Sequence, residues 1–327
     1  MTLRYRNPVW SGYMADPFVL GWQGRFYAYG TGRRHGQVRH PDGNVLTLLE
    51  SDDLTHWRQS GGALRPLSTP GLYYWAPEVA ERDGTFYLYY SAGEREGQHQ
   101  QLRVARASSP TGPFKDSGGL LLPDEPFSID PHPFKDPADG RWYLYFCKDY
   151  FDGRAGTGAA AVELADDMIS PASPVQTILR ASVDWQIFAR NRRWYDRDWP
   201  AWHTVEGPFV VEHERRYYCF YSGGNWKTAD YGVGYAIAEH PLGPYRDEWN
   251  ADGPSVLKGT ADAICPGHNS IVRAPDGRDM LVYHAWDPQH TARRMCIDPL
   301  EWSADGPRCI GPTSRAQVLE IIKAKGP

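Results

Sequence analysis

Five segments of this 327-residue chain follow one formula. They are ADPFVLGWQGRFYAYGTG from Ala15, APEVAERDGTFYLYYSAG from Ala76, IDPHPFKDPADGRWYLYFCKD from Ile129, EGPFVVEHERRYYCFYSGG from Glu206 and GHNSIVRAPDGRDMLVYHAW from Gly267. Each sets a small or polar residue, usually beside a proline, ahead of a short apolar strand. A polar turn often holding Asp-Gly follows, and then a second strand rich in tyrosine. This is one β-hairpin written five times. A third strand and a polar corner come after each: LTLLESDDLTHW, LRVARASSPTGPF, GAAAVELADDMISP, YGVGYAIAEHPLGPY and RMCIDPLEWSADGP.

Self-similarity at a spacing of roughly 50 to 80 residues marks radial or stacked repeats. Five units of about four strands use up the chain, and no pattern of helical period persists long enough to compete. The expectation is therefore an all-β, five-bladed β-propeller forming a single catalytic domain over residues 1–327, with no accessory β-sandwich. Radial repetition leaves only short, protected sheet edges. A two-sheet sandwich would not call for fivefold repetition. Aromatic residues at 13% of the chain agree with many short strands.

In a propeller the first strand of each blade lines the central channel. The residues heading the repeat, read as Asp16, Ala76, Asp130, Glu206 and His268, then crowd around one axis. An aspartate before proline is by itself an ordinary turn residue. Three carboxyl groups at one channel mouth are another matter, because like charges repel and are costly to desolvate. Their convergence points to proton chemistry.

The blocks ADPF (15–18), WAPEV (75–79), SIDPHPF (128–134), HTVEGPFVV (203–211) and PGHNSIV (266–272), each on its own repeat, resemble glycoside hydrolase family 43 from about Asn7 to Trp302. That resemblance implies an inverting glycosidase acting on arabinose- and xylose-containing polymers. It assigns Asp16 as general base, Asp130 as the group that tunes and orients the acid, and Glu206 as general acid. Inversion needs one carboxylate to activate water and one neutral carboxylic acid to protonate the leaving oxygen. An ionised Asp130 close to Glu206 would raise the Glu206 pKa and keep it protonated.

The same resemblance makes Trp75 a platform for the sugar being cleaved. It makes Arg293 the arginine paired with the pKa-tuning aspartate, with Arg294 the alternative one register step away. His268 would border an axial site filled with water or calcium. Imidazole is a poor calcium ligand, so any such ion would be mostly hydrated. Between blades 3 and 4, ARNRRWYDRDWPAWH (189–203) reads as a long loop whose Trp194, Tyr195, Trp199 and Trp202 wall the pocket.

Other classes are set aside on simple grounds. The net charge of -5 gives no footprint for nucleic acid. No run approaches a membrane span, and the opening MTLRYRNPVW lacks an apolar signal core, so a cytoplasmic chain is expected. Five scattered cysteines suggest neither a disulfide framework nor a zinc site. A retaining fructan hydrolase would need a block like WMNDPNG, which is absent. A sugar-binding propeller without activity would not need all three acids. The expected partner is an oligosaccharide, and nothing identifies a protein partner. The reading is an exo-acting β-xylosidase with α-L-arabinofuranosidase activity, with an endo-1,5-α-L-arabinanase as the alternative.

Overall fold

The computed structural model describes residues 2–94, 99–248 and 252–320. Five four-stranded antiparallel units follow one another along the chain, the third and fourth joined into one larger sheet by a short parallel pairing of Gly156 and Thr157 with His203 and Thr204. Their first strands are Ala15–Trp22, Tyr73–Arg82, Ser128–Lys135, Arg197–His213 and Ile264–Arg273. These strands touch in cyclic order, blade 1 to 2 to 3 to 4 to 5 and back to 1, which closes the ring. This is the five-bladed propeller that the repeats predict.

Two features were not legible. Thr2–Tyr5 pairs antiparallel with Gln317–Glu320, and Leu3, Tyr5 and Leu319 bury against blades 1 and 5. The stretch before Glu206 is a β-hairpin and not a loop: Ile187–Trp194 pairs with the first half of Arg197–His213. Its turn residues Tyr195 and Asp196 have φ of 52° and 53°. Two successive left-handed residues make the turn that suits a twisted hairpin. Glycine usually marks such a turn, and none stands here. Glu214 and Arg215 turn the blade 4 hairpin in the same way, with φ of 51° and 63°.

The core lies between blades. Tyr29, Tyr90, Phe114, Phe220 and Tyr283 are almost wholly buried and belong to one cluster spanning blades 1, 2, 4 and 5. Burying side chains of this size contributes on the order of 1.5–3 kcal/mol each. That rigidity fixes where the inner strands present their side chains.

Every inner strand carries a register break at its head. The breaks fall between Ala15 and Phe18, Trp75 and Glu78, Ile129 and His132, Glu206 and Phe209, and around Gly267. Each blade has a left-handed residue there: Asp16 (φ 51°), Ala76 (44°), Asp130 (57°), Gly207 (57°) and His268 (50°), with Cys265 (48°) a second in blade 5. A β-bulge inserts an unpaired residue and re-aims the side chains beside it. In blades 1, 2 and 5 a side chain from the second strand of the preceding blade secures the bulge. Asp16 N–H donates to His284 Nδ1 (3.1 Å), Ala76 N–H to Thr31 Oγ1 (2.9 Å) and His268 N–H to Ser222 Oγ (2.7 Å).

This register corrects one expectation. In blade 4 the residue equivalent to Asp16 and Asp130 is Gly207, and Glu206 stands one place earlier, equivalent to Trp75. A side chain at 207 would press on the His268 ring, since a Cβ there would lie 3.2 Å from it.

Candidate active site

Asp16, Asp130, Glu206, His268, Arg293 and Trp75 line one cavity of about 310 Å³, together with Trp194 and Trp202 from the inserted hairpin. The bulges of blades 1 and 3 carry the two aspartates into it from segments more than a hundred residues apart.

Asp16 is held on several sides. Its Oδ1 lies 3.3 Å from Arg293 Nη1, 3.4 Å from His284 Nδ1 and 3.5 Å from His268 Nδ1. Burial pushes this carboxyl up, but His268, Arg293, His284 and the Thr31 hydroxyl outweigh it and hold it well below the usual carboxylate range. Burial keeps both imidazoles on the neutral side of their ordinary value. His284 Nδ1 accepts the Asp16 N–H, so its proton sits on Nε2. Arg293 is thus the permanent charge beside Asp16, and Asp16 is an ionised carboxylate.

That pairing corrects the expected role of Arg293. The resemblance coupled it to Asp130, whereas the bulge of blade 1 brings Asp16 against it. Arg293 also donates to the Tyr13 hydroxyl (3.1 Å from Nη2) and lies 4.6 Å from the Trp226 ring centroid. Arg294 binds Asp287 at 2.9 Å and does not line this cavity. Alternating strand directions put neighbours on opposite faces, which settles the choice between the two arginines in favour of Arg293.

Glu206 receives the Tyr231 hydroxyl on Oε1 at 2.7 Å. Burial raises its pKa from 4.5 to about 7; Asp16 adds to the rise, while Tyr231 and Arg293 oppose it. Asp130 accepts the Gly207 N–H on Oδ2 at 3.0 Å. Burial first, then repulsion from Glu206 and Asp16, pushes Asp130 well above the carboxylate range. The resemblance implied an ionised Asp130 driving up Glu206. Here burial pushes both carboxyls up, and Asp16 adds to the rise of each. Two carboxyl groups titrating as a pair, opposite one ionised carboxylate, is an arrangement for acid and base work at separate atoms.

Trp75 stands on the cavity wall near His35 (6.2 Å between ring centroids), and its indole N–H is buried with no acceptor among the described residues. Trp202 is 1% exposed and packs with Trp199 and Ala155, so most of its ring serves the hairpin core. Tyr195 and Trp199 do not line the cavity, contrary to expectation. Tyr195 donates to Asp149, and Trp199 packs within the hairpin. Tyr231, His284 and Trp226 complete the site. None stands in a repeat head, so no sequence signal marked them.

The residues around His268 do not fit a directly ligated ion. Among the described residues no group of three or more His, Cys, Asp or Glu side chains is placed to hold a metal, and the Arg293 guanidinium already neutralises Asp16.

The model of the family "Glycosyl hydrolases family 43" matches residues 5–307. The chain belongs to that family. It is 28% identical, over 92% of its length and 83% of the relative's, to the β-D-galactofuranosidase xynD of Aspergillus niger. It is 26% identical to an extracellular exo-α-(1→5)-L-arabinofuranosidase of Cellvibrio japonicus, covering 81% of this chain and 80% of that one. A thermostable family 43 glycoside hydrolase of known structure superposes with a TM-score of 0.81 at 31% identity, covering 96% of this chain and 98% of the other. The protein is a family 43 glycosidase, and the carboxyl cavity is where its chemistry is sought.

Proposed function

We propose that this protein is an inverting exo-glycosidase that releases terminal pentoses, β-D-xylose and α-L-arabinofuranose, from short xylo- or arabino-oligosaccharides. The observation that carries the reading is the split between Asp16, held ionised by its cationic and imidazole neighbours, and Glu206, held up at about 7 by burial. Asp16 takes a proton from a water that attacks the anomeric carbon. Glu206 gives its proton to the departing oxygen. Asp130 positions the acid by accepting the Gly207 N–H next to it. Arg293 and Tyr13 hold the base in place.

Exo action is supported by the inserted hairpin, which walls one side of the cavity with Phe188, Trp194 and Trp202. Trp75, whose indole N–H has no acceptor among the described residues, offers a face and a donor to the terminal sugar. The test is a panel of 4-nitrophenyl β-D-xyloside, α-L-arabinofuranoside and β-D-galactofuranoside, with xylobiose and linear arabinan. Xylose freed from xylobiose together with cleavage of the arabinofuranoside supports the reading. Internal cuts in arabinan with no xylose from xylobiose would replace it with an endo-arabinanase. Preference for the galactofuranoside would move the substrate to a hexofuranose.

A further inference from the structure

The inserted hairpin forms one arm of the cavity wall, with Phe188, Arg192, Trp194 and Trp202 on its lining. The Arg192 guanidinium carbon stands 4.1 Å from the ring centroid of Trp194, 4.8 Å from Phe188 and 5.6 Å from Trp202. Its neighbours on the hairpin find carboxylates: Arg190 lies 3.6 Å from Asp184, and Arg193 lies 3.3 Å from Asp198. Among the described residues the Arg192 side chain packs on aromatic faces, feels the Asp149 charge and makes no hydrogen bond to a protein acceptor.

Asp149, also on the lining, lies within electrostatic reach of Arg192, but its oxygens are hydrogen-bonded elsewhere. Its Oδ2 takes the Tyr195 hydroxyl at 2.7 Å and its Oδ1 the Thr157 hydroxyl at 2.9 Å. A second cation stands on the adjoining wall. Lys227 lines the cavity with its ammonium 4.5 Å from the Trp226 ring centroid. Asn225 ties that wall to the hairpin, donating to the Phe188 carbonyl at 2.9 Å.

We infer that this arm is a subsite for the carboxylate of a uronic acid, carried by the sugar chain next to the residue that is released. This rests on the glycosidase reading of the same cavity. A guanidinium presents its donors as a planar fork that matches a carboxylate in two parallel hydrogen bonds. Partial burial against Trp194 costs Arg192 hydration, and burial pulls its pKa down. A sugar hydroxyl would supply acceptor lone pairs but no countercharge, while a carboxylate supplies both. The Trp194 face beside it can stack on the ring that bears the acid.

The experiment titrates the wild-type protein with sodium glucuronate and, in parallel, with glucose, following tryptophan fluorescence and calorimetric heat. Glucuronate is expected to bind about tenfold or more tighter than glucose at low salt, an advantage that shrinks as salt screens the pair. R192Q should abolish most of that advantage, K227Q a smaller part, and R192K, which keeps the charge but loses the fork, an intermediate share. Folding of each variant is checked by circular dichroism, and the wild-type comparison stands alone if R192Q does not fold. Equal binding of glucose would show a neutral-sugar subsite and overturn the inference, as would full retention of the preference in R192Q. If no glycoside in the panel is hydrolysed while glucuronate still binds through Arg192, the proposed reaction fails and the carboxylate subsite stands.

Discussion

The Tyr231 hydroxyl donates to Glu206 Oε1 at 2.7 Å, and this bond opposes the burial that makes Glu206 an acid. A hydrogen bond to the ionised form favours ionisation. Removing it in Y231F should raise the Glu206 pKa and move the basic limb of kcat/KM upward, by about half a unit to one unit. A downward shift would mean that Tyr231 supports the neutral acid instead.

Burial pushes Asp130 up beside Glu206, which favours its neutral form, and an amide in its place is neutral as well. D130N should therefore leave the basic limb within about half a unit of the wild type. A drop of a unit or more would show that an ionised Asp130 tunes the acid. D130A removes the acceptor of the Gly207 N–H as well. Leaving a buried donor unpaired costs about 1–3 kcal/mol, read as a lower Tm.

The heads of the repeats were legible because their chemistry is local. A left-handed bulge in a strand tolerates aspartate, and the Asp-Pro pairs advertised it at Asp16 and Asp130. Blade 4 misled by one residue, since Gly207 fills the left-handed position while Glu206 occupies the slot that Trp75 holds in blade 2. The inserted hairpin was missed because its turn is Tyr195-Asp196, without glycine. Tyr231 and His284 were invisible for another reason: they reach the site through tertiary packing, one from the end of a loop and one from a second strand. The partner of Arg293 depended on which blade's bulge lies against it, a fact of ring closure that no local pattern contains.

Arg293 gives Asp16 its permanent countercharge. R293M should raise the Asp16 pKa and carry the acidic limb of kcat/KM to higher pH, because Asp16 acts only when ionised. An acidic limb that does not move would leave Arg293 as a packing residue.

Glu206 carries a cost in stability. Its folded pKa lies above its ordinary value, so its contribution is intact below about pH 4.5 and is lost as the pH rises through about 7. E206Q should thus melt higher than the wild type at pH 8, by up to about 3 kcal/mol at roughly 1.4 kcal/mol per unit, and no higher at pH 4. It should also lose activity. Equal melting at both pH values would contradict the raised pKa.

The central claim is that Asp16 activates water while Glu206 protonates the leaving group, with no bond between protein and sugar. Proton NMR of the first product formed from an aryl pentoside, read before mutarotation, tests it most directly. The account predicts the anomer opposite in configuration to the substrate. Net retention would contradict it, because retention requires a carboxylate that attacks the anomeric carbon, and Asp16 would then be a nucleophile or no participant at all.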